Sequence, residues 1–329
     1  METLYLVTGA SGHLGTILCS KLLEQGRKVK ALILPGEEKY AVEGIEIITG
    51  DVTDPSSMEP FFKHGKDEEI IVLHCAGIVT IASKTDPLVY RINVEGTRNI
   101  LEMSLKHKAR KVVYVCSVHA LVEAEEGETK ETDVYHPELI ADQYGKSKAE
   151  AGNIALDYFG QGLDVNIIMP SGIFGPGDYR RNNHMIRAIE AMAKGYIPVS
   201  LQGGFDFVDV RDVADGIIAC AEKGRPGEPY ILSGHYLTVA DILDEINSIC
   251  SRRTLGIEIP YWLVKPFGPL AETIGKYLGK GKPLVTPYSL AILNTNGHFS
   301  HEKATADLGY EPRSVSESII DMIVEINEQ

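Results

Sequence analysis

Tyr144 and Lys148, in the segment Tyr144-Gly-Lys-Ser-Lys148, place a phenol and an ammonium four positions apart, and such a pair shares one face of a helix. A cation beside a phenol favours the phenolate. It lowers the phenol pKa and turns a weak acid into a proton donor usable near neutral pH. Reduction of a carbonyl needs such a donor, because the oxygen gains a proton as its carbon gains a hydride. Ser117, 27 residues upstream, ends the apolar run Lys111-Val-Val-Tyr-Val-Cys-Ser117, which has the composition of an interior parallel strand. The spacing Tyr-x-x-x-Lys recurs at Tyr261-Trp-Leu-Val-Lys265, but that copy lies between Pro260 and Pro266, whereas Tyr144 sits among good helix formers.

Those side chains need a scaffold, and the N-terminus supplies its signature. Thr3-Leu-Tyr-Leu-Val-Thr8 reads as a strand running into Gly9-Ala-Ser-Gly12-His-Leu-Gly15, followed by an amphipathic stretch over 16–25. The first glycine allows a tight turn, the second a close approach to a pyrophosphate, and the third close packing of helix on strand. The free N–H groups and positive dipole end of the helix then face the phosphates. With 32 glycines in 329 residues the bare pattern arises by chance about 0.3 times per chain. Its position directly after the first strand carries the weight.

Strands are expected over 4–8, 29–34, 45–49, 70–75, 112–116 and 165–169, each separated by a stretch long enough to cross back over a sheet. That alternation predicts an α/β fold with a parallel, doubly wound sheet in which the first three strands run 3-2-1. Beyond Met169 the pattern turns irregular and rich in Pro and Gly, and 230–232 reads as one more strand returning to the sheet. We therefore expect a dinucleotide-binding domain over 1–172, with 207–232 returning to it. A smaller C-terminal substrate-binding region would comprise 173–206 and 233–329.

Composition narrows the function. The chain carries 32 Lys and Arg against 46 Asp and Glu, a formal charge of −14, which disfavours nucleic acid as a partner. The acidic run over 123–133 reads as a solvated loop. Five scattered cysteines with no C-x-x-C spacing read as reduced core thiols. The first residues lead directly into a strand and no apolar run approaches membrane-spanning length, so a cytoplasmic protein without membrane contact is expected. His298-Phe-Ser-His301 lacks a third ligand, and no metal is expected.

Taken together, the chain resembles the extended short-chain dehydrogenases/reductases, the NAD-dependent epimerase/dehydratase family, over most of its length. The matches are Thr8-Gly-Ala-Ser-Gly-His-Leu-Gly15, Gly50-Asp51-Val52, His74-Cys-Ala76-Gly77, Asn93-Val-Glu-Gly96-Thr97, Ser117, Tyr144-Gly-Lys-Ser-Lys148, Pro170-Ser-Gly-Ile-Phe-Gly175-Pro176 and Phe207-Val-Asp-Val-Arg-Asp212. The surroundings are most similar to the aldehyde and dihydroflavonol reductase-like branch and its hydroxysteroid dehydrogenase relatives. The resemblance implies a Rossmann-type fold and a nicotinamide cofactor. Tyr144 would be the general acid, Lys148 would tune it and hold the nicotinamide ribose, Ser117 would hold the substrate oxygen, and Asn93 would serve a proton relay. Gly9, Ser11, Gly12, His13, Leu14, Gly15, Leu34, Asp51, Val52, Ala76, Gly77, Pro170, Gly172 and Ile173 would border the cofactor, together with Tyr144 and Lys148. His119, Arg180 and Arg181 are the substrate-side candidates. The resemblance further implies a homodimer through helices over 87–107 and 143–158.

Cofactor choice is not written at the usual place. The second strand ends in Leu32-Ile-Leu-Pro-Gly36, with neither an acid for the ribose hydroxyl of NAD nor an arginine for the phosphate of NADP. Lys39 is opposed by Glu37 and Glu38. Family habit favours NADP over NAD. For substrate, the stretch over 257–289 is rich in Tyr, Trp, Phe, Leu and Pro, which suits a small or apolar aldehyde or ketone. Arg180 and Arg181 would instead suit a nucleotide-sugar diphosphate and an epimerase or dehydratase. A non-catalytic NAD(P) sensor is the third reading, and the intact Ser117, Tyr144 and Lys148 argue against it.

Overall fold

The computed structural model describes residues 2–81, 85–180, 183–253, 255–268 and 286–328. Its strands are β1 (Glu2–Thr8), β2 (Lys28–Ile33), β3 (Glu46–Thr49), β4 (Glu68–His74), β5 (Lys111–Val115), β6 (Val165–Pro170), β7 (Gly172–Phe174), β8 (Ser200–Leu201), β9 (Gly204–Asp209), β10 (Pro229–Leu232), β11 (His235–Thr238) and β12 (Glu258–Ile259). Seven of them form one sheet in the order β3-β2-β1-β4-β5-β6-β10, with every neighbouring pair parallel. The protein is thus the expected α/β fold with a doubly wound parallel sheet, its first three strands running 3-2-1. The expected strands fall within two residues of the observed ones, and the returning strand is β10, paired with β6.

The central strands of the sheet are buried on both faces, which is why they read as continuous apolar runs rather than alternating ones. Successive side chains still point to opposite sides. Leu4, Leu6, Ile70 and Val72 enter one core, while Tyr5, Val7, Ile71 and Leu73 enter the other. The first core is completed by the helices Thr97–Lys106 and Gln143–Gly160, the second by His13–Glu24 and Val210–Lys223. The winding direction changes between β1 and β4, so a crevice opens beyond Thr8 and His74, where open parallel sheets bind their ligands.

After β6 the chain builds a small sheet, β11-β9-β7, and the short pair β12-β8. Here β9 pairs with β7 and β11 rather than with the large sheet, so within 207–232 it is the helix Val210–Lys223 and β10 that return. A charged clamp holds this part to the C-terminal helix Val315–Glu328. Arg211 bridges the buried Asp209 and Asp321 at 2.8 and 2.6 Å. The Arg313 backbone and guanidinium grip the buried Asp212 at 2.8–2.9 Å. The buried Asp206 of β9 accepts from the Gly234 N–H at 2.8 Å, and burial pushes its pKa up to about 6.

All five cysteines are free. His298 stacks on Tyr236 with centroids 3.9 Å apart, and His301 Nδ1 lies 2.9 Å from the Ser233 hydroxyl. Among the described residues, no cluster of His, Cys, Asp and Glu could hold a metal ion. No helix among them is long and apolar enough to cross a membrane.

Candidate active site

The glycine turn is built by close approach. Gly9 has φ +66°, and a Cβ there would lie 2.8 Å from the Ala76 backbone, so β1 turns hard against the end of β4 only because this residue is glycine. The helix His13–Glu24 follows with no side-chain cap and no acid in its first turn, leaving its first N–H groups for an anion. His13 donates Nε2–H to the Pro176 carbonyl at 3.0 Å, and burial lowers its pKa. The neutral ring keeps an unpartnered Nδ1 beside the turn.

A directed chain of hydrogen bonds fixes the crevice floor. His74 is fully buried and burial depresses its pKa to about 3, so the ring is neutral. The Thr97 hydroxyl donates to the Asn93 carbonyl at 2.7 Å, so it must accept Nε2–H of His74, 3.0 Å away. Nδ1 then accepts from Thr8 at 2.7 Å, and Thr8 accepts the Ala76 N–H at 3.2 Å. The end of β1 and the π-helical turn Arg91–Gly96 are locked together. The Asn93 amide is fully used. It accepts from Ile78 N–H at 2.8 Å and donates to Ile78 O and Ser147 Oγ at 3.1 and 3.0 Å.

Tyr144 and Ser117 meet in this crevice. Asp142 caps the helix Gln143–Gly160 by accepting the Gly145 N–H at 2.8 Å. Gly145 lets that helix press onto the chain after β5, because a Cβ there would lie 2.4 Å from the His119 carbonyl. The Tyr144 phenol is buried and lies close enough to the Ser117 hydroxyl to feel it. Its pKa is raised, chiefly by burial and against the influence of Ser117. This corrects the expectation of a phenol pKa lowered by Lys148. The Lys148 ammonium donates to the Val115 carbonyl at 2.8 Å and lies 5.1 Å from the Tyr114 ring centroid, and burial lowers its own pKa. In this geometry Tyr144 stays protonated at neutral pH, ready to give a proton.

The wall beside Tyr144 is aromatic. His119 stacks on Phe205 with centroids 5.4 Å apart and planes 9° from parallel. It meets Tyr144 edge-on at 5.9 Å and Tyr288 at 6.2 Å. Burial lowers its pKa and keeps it neutral, against the pull of Asp142 and Glu123.

The other candidates lie at or just past the ends of strands of the large sheet, or in β7. Val52 is buried beneath Gly96, and its carbonyl accepts from Asn99 at 2.9 Å. One oxygen of Asp51 is taken by the Thr53 backbone and hydroxyl at 2.8 and 2.9 Å. Gly77 lies against Asn93 and Lys148. Pro170 ends β6, and Gly172 and Ile173 open β7. Leu34, just past β2, is exposed.

Arg180 lies away from Tyr144. Its guanidinium binds Glu37 at 2.7 Å and Ser11 at 3.3 Å, and stacks over Tyr40, at the glycine turn. Arg181 lies outside the described residues. Glu37 also accepts from Ser11 at 2.5 Å, so it is the acid that faces the turn, three residues beyond Leu34. Sequence reasoning met Glu37 only as a charge opposing Lys39 and did not single out Tyr288, because a fixed offset from the second strand, or a tyrosine in a Pro-rich stretch, carries no local signal of where the side chain ends up.

With this geometry in place, comparison with known proteins is informative. The model of the NAD dependent epimerase/dehydratase family matches residues 5–233. The sterol demethylase protein B of Methylococcus capsulatus is 28% identical over 327 residues, covering 98% of each chain. The 3-beta-hydroxysteroid dehydrogenase of Mycolicibacterium neoaurum is 27% identical over 329 residues, covering 95% of this chain and 88% of that one. Among solved structures, the crystal structure of gox2253 is similar at TM-score 0.83 and 28% identity, covering 99% of this chain and 98% of the other.

Proposed function

The chain belongs to the NAD-dependent epimerase/dehydratase family, and from that premise we propose that it reduces a neutral, apolar aldehyde or ketone, with Tyr144 as the general acid. The observation that carries this reading is the buried Tyr144 phenol beside Ser117, set edge-on to His119, which itself stacks on Phe205. A bound nicotinamide supplies the hydride. Ser117 would hold the substrate oxygen, Tyr144 would give it a proton, and Lys148, one turn away, would hold the ribose of the cofactor. The aromatic wall excludes water and accepts a flat apolar body. Relatives named for sterol and hydroxysteroid chemistry support such a substrate.

The residues present suit a dinucleotide. The tight turn at Gly9, the uncapped helix behind it and the neutral His13 offer a place for a pyrophosphate without a competing acid in the helix's first turn. Glu37 beside Ser11 favours NAD, because a carboxylate there would accept ribose hydroxyls and repel a 2′-phosphate. On this reading NAD displaces the NADP preference that family habit suggested. Residues 173–206 and 233–329 would form the substrate-binding region, and the working unit would be a homodimer in the cytoplasm.

The runner-up, a nucleotide-sugar epimerase or dehydratase, needs a cation beside the substrate. Arg180 is instead engaged by Glu37 and Ser11. The two readings separate in one experiment. Purified protein is analysed for retained NAD, then offered NADH with a panel of aldehydes and ketones, and UDP-, GDP- and dTDP-sugars. Oxidation of NADH by a neutral carbonyl compound supports reduction. Retained NAD with conversion of a sugar nucleotide, lost on changing Arg180 and Arg181 to Ala, overturns it.

A further inference from the structure

The aromatic wall holds one buried polar atom with no partner at hydrogen-bonding geometry. Tyr288 lies on the short helix Pro287–Ile292, whose position over the crevice is fixed at its start. Thr286 is fully buried, forms a reciprocal capping box with Ser289, and donates its hydroxyl to the Ile81 carbonyl at 2.9 Å. The helix is thereby tied to the loop that follows β4. Its next residue but one, Tyr288, faces His119 across 6.2 Å, and His119 faces Tyr144 across 5.9 Å. The Tyr288 phenol oxygen is buried with no partner at hydrogen-bonding geometry, and the polar group beside it is the Asp142 carboxylate that caps the helix Gln143–Gly160.

A buried hydroxyl without a partner costs on the order of 1–3 kcal/mol, and each such group in a folded protein calls for an explanation. Here the group stands across one ring from the phenol that protonates the substrate. Resting on the reductase reading above, we infer that Tyr288 is a second substrate-binding phenol, which donates to a second oxygen of the substrate close to the carbonyl that Tyr144 protonates. The charges at this end of the crevice narrow the class further. Asp142 and Glu123 both act on Tyr288, so an anionic group such as a carboxylate or phosphate is repelled there, and a neutral hydroxyl or carbonyl is accepted. The substrate class is therefore a neutral apolar compound with two neighbouring oxygens, a hydroxy-ketone or a dicarbonyl.

The test compares a pair of compounds, 1-phenyl-1,2-propanedione and propiophenone, which differ in the second oxygen, in the wild type and in Tyr288→Phe. The ratio of their KM values in the variant is divided by the same ratio in the wild type, which cancels the dione's greater intrinsic reactivity. A change of about tenfold or more against the dione, with kcat and NADH affinity kept, is the expected result, since a hydrogen bond of ~1.4 kcal/mol is one factor of ten. An unchanged ratio, including an equal loss for both compounds, overturns the inference and makes Tyr288 a structural neighbour of Asp142. Should the wild type oxidise NADH with neither compound, the reductase reading fails on its own terms. The same ratio is then read from equilibrium binding of the two compounds to the protein with NADH, and a dione preference that disappears in the variant upholds Tyr288. No dione preference in the wild type, or no binding of either compound, overturns it.

Discussion

At the scale of single residues, Tyr144 is the group whose removal is most diagnostic. Tyr144→Phe keeps the ring against His119 and removes the proton, so turnover with NADH should fall by about 10²–10⁴ while cofactor affinity, read by fluorescence titration, stays the same. Tyr261→Phe serves as the control, and an equal loss in both variants would mean that the wrong pair had been chosen. Glu37 carries the second prediction. Glu37→Gln removes the charge that faces Ser11 and leaves Arg180 free of it, so the NADPH-to-NADH affinity ratio should rise by about tenfold or more. A ratio that does not move would place cofactor choice elsewhere. The contrast between these residues explains what the sequence reveals. The placement of Tyr144, Lys148 and the glycine turn is legible because it follows from spacing within one helix or one turn. The placement of Glu37, Arg180 and Tyr288 depends on which distant segments pack beside them. The effect of Lys148 on the phenol is not legible at this scale, since spacing puts two groups on one face but says nothing about burial, and burial dominates the Tyr144 pKa.

At the scale of elements, the large sheet is legible because a strand buried on both faces must be apolar throughout, and the crossover rule then orders the strands. The small sheet is less so. The six residues of β9 are all buried and include two aspartates, a pattern that reads as a loop until the partners of those acids are known. Those partners generate two predictions. Burial raises the Asp206 pKa from 3.8 to about 6, so the folded protein holds this proton more tightly than the unfolded chain does. The stabilisation is complete below the unfolded value and fades as pH rises through about 6, a change of about 3 kcal/mol. Asp206→Asn should lack it, so wild type minus variant, measured by chemical denaturation, should drop between pH 4 and 7; a flat difference would contradict the buried, protonated carboxyl. Arg313→Ala leaves the buried Asp212 without its guanidinium partner and should destabilise the fold by about 3 kcal/mol. Asp212→Asn combined with Arg313→Ala should recover part of the loss, because the uncompensated charge is then gone.

At the scale of the whole molecule, the proposed homodimer can be argued from what the helices leave uncovered. Leu88 and Tyr90 on Pro87–Tyr90, Leu105 on Thr97–Lys106 and Phe159 on Gln143–Gly160 are exposed apolar residues, on helices that pack against one another along one side of the large sheet. A two-fold axis through that layer would bring each patch onto its own copy, the self-complementary arrangement that closes a dimer without further growth. The same layer carries Tyr144, so association would also stiffen the helix that presents the acid. Each subunit brings a formal charge of −14, and the repulsion between two such subunits is screened by salt. The dimer should therefore form more readily as ionic strength rises, the opposite of an interface held by salt bridges. Light scattering across a dilution series at low and high salt measures this directly. Leu105→Glu together with Tyr90→Glu should yield a folded monomer by introducing like charges on both sides of the axis, whereas a wild-type protein that stays monomeric at every concentration and salt would remove the proposal.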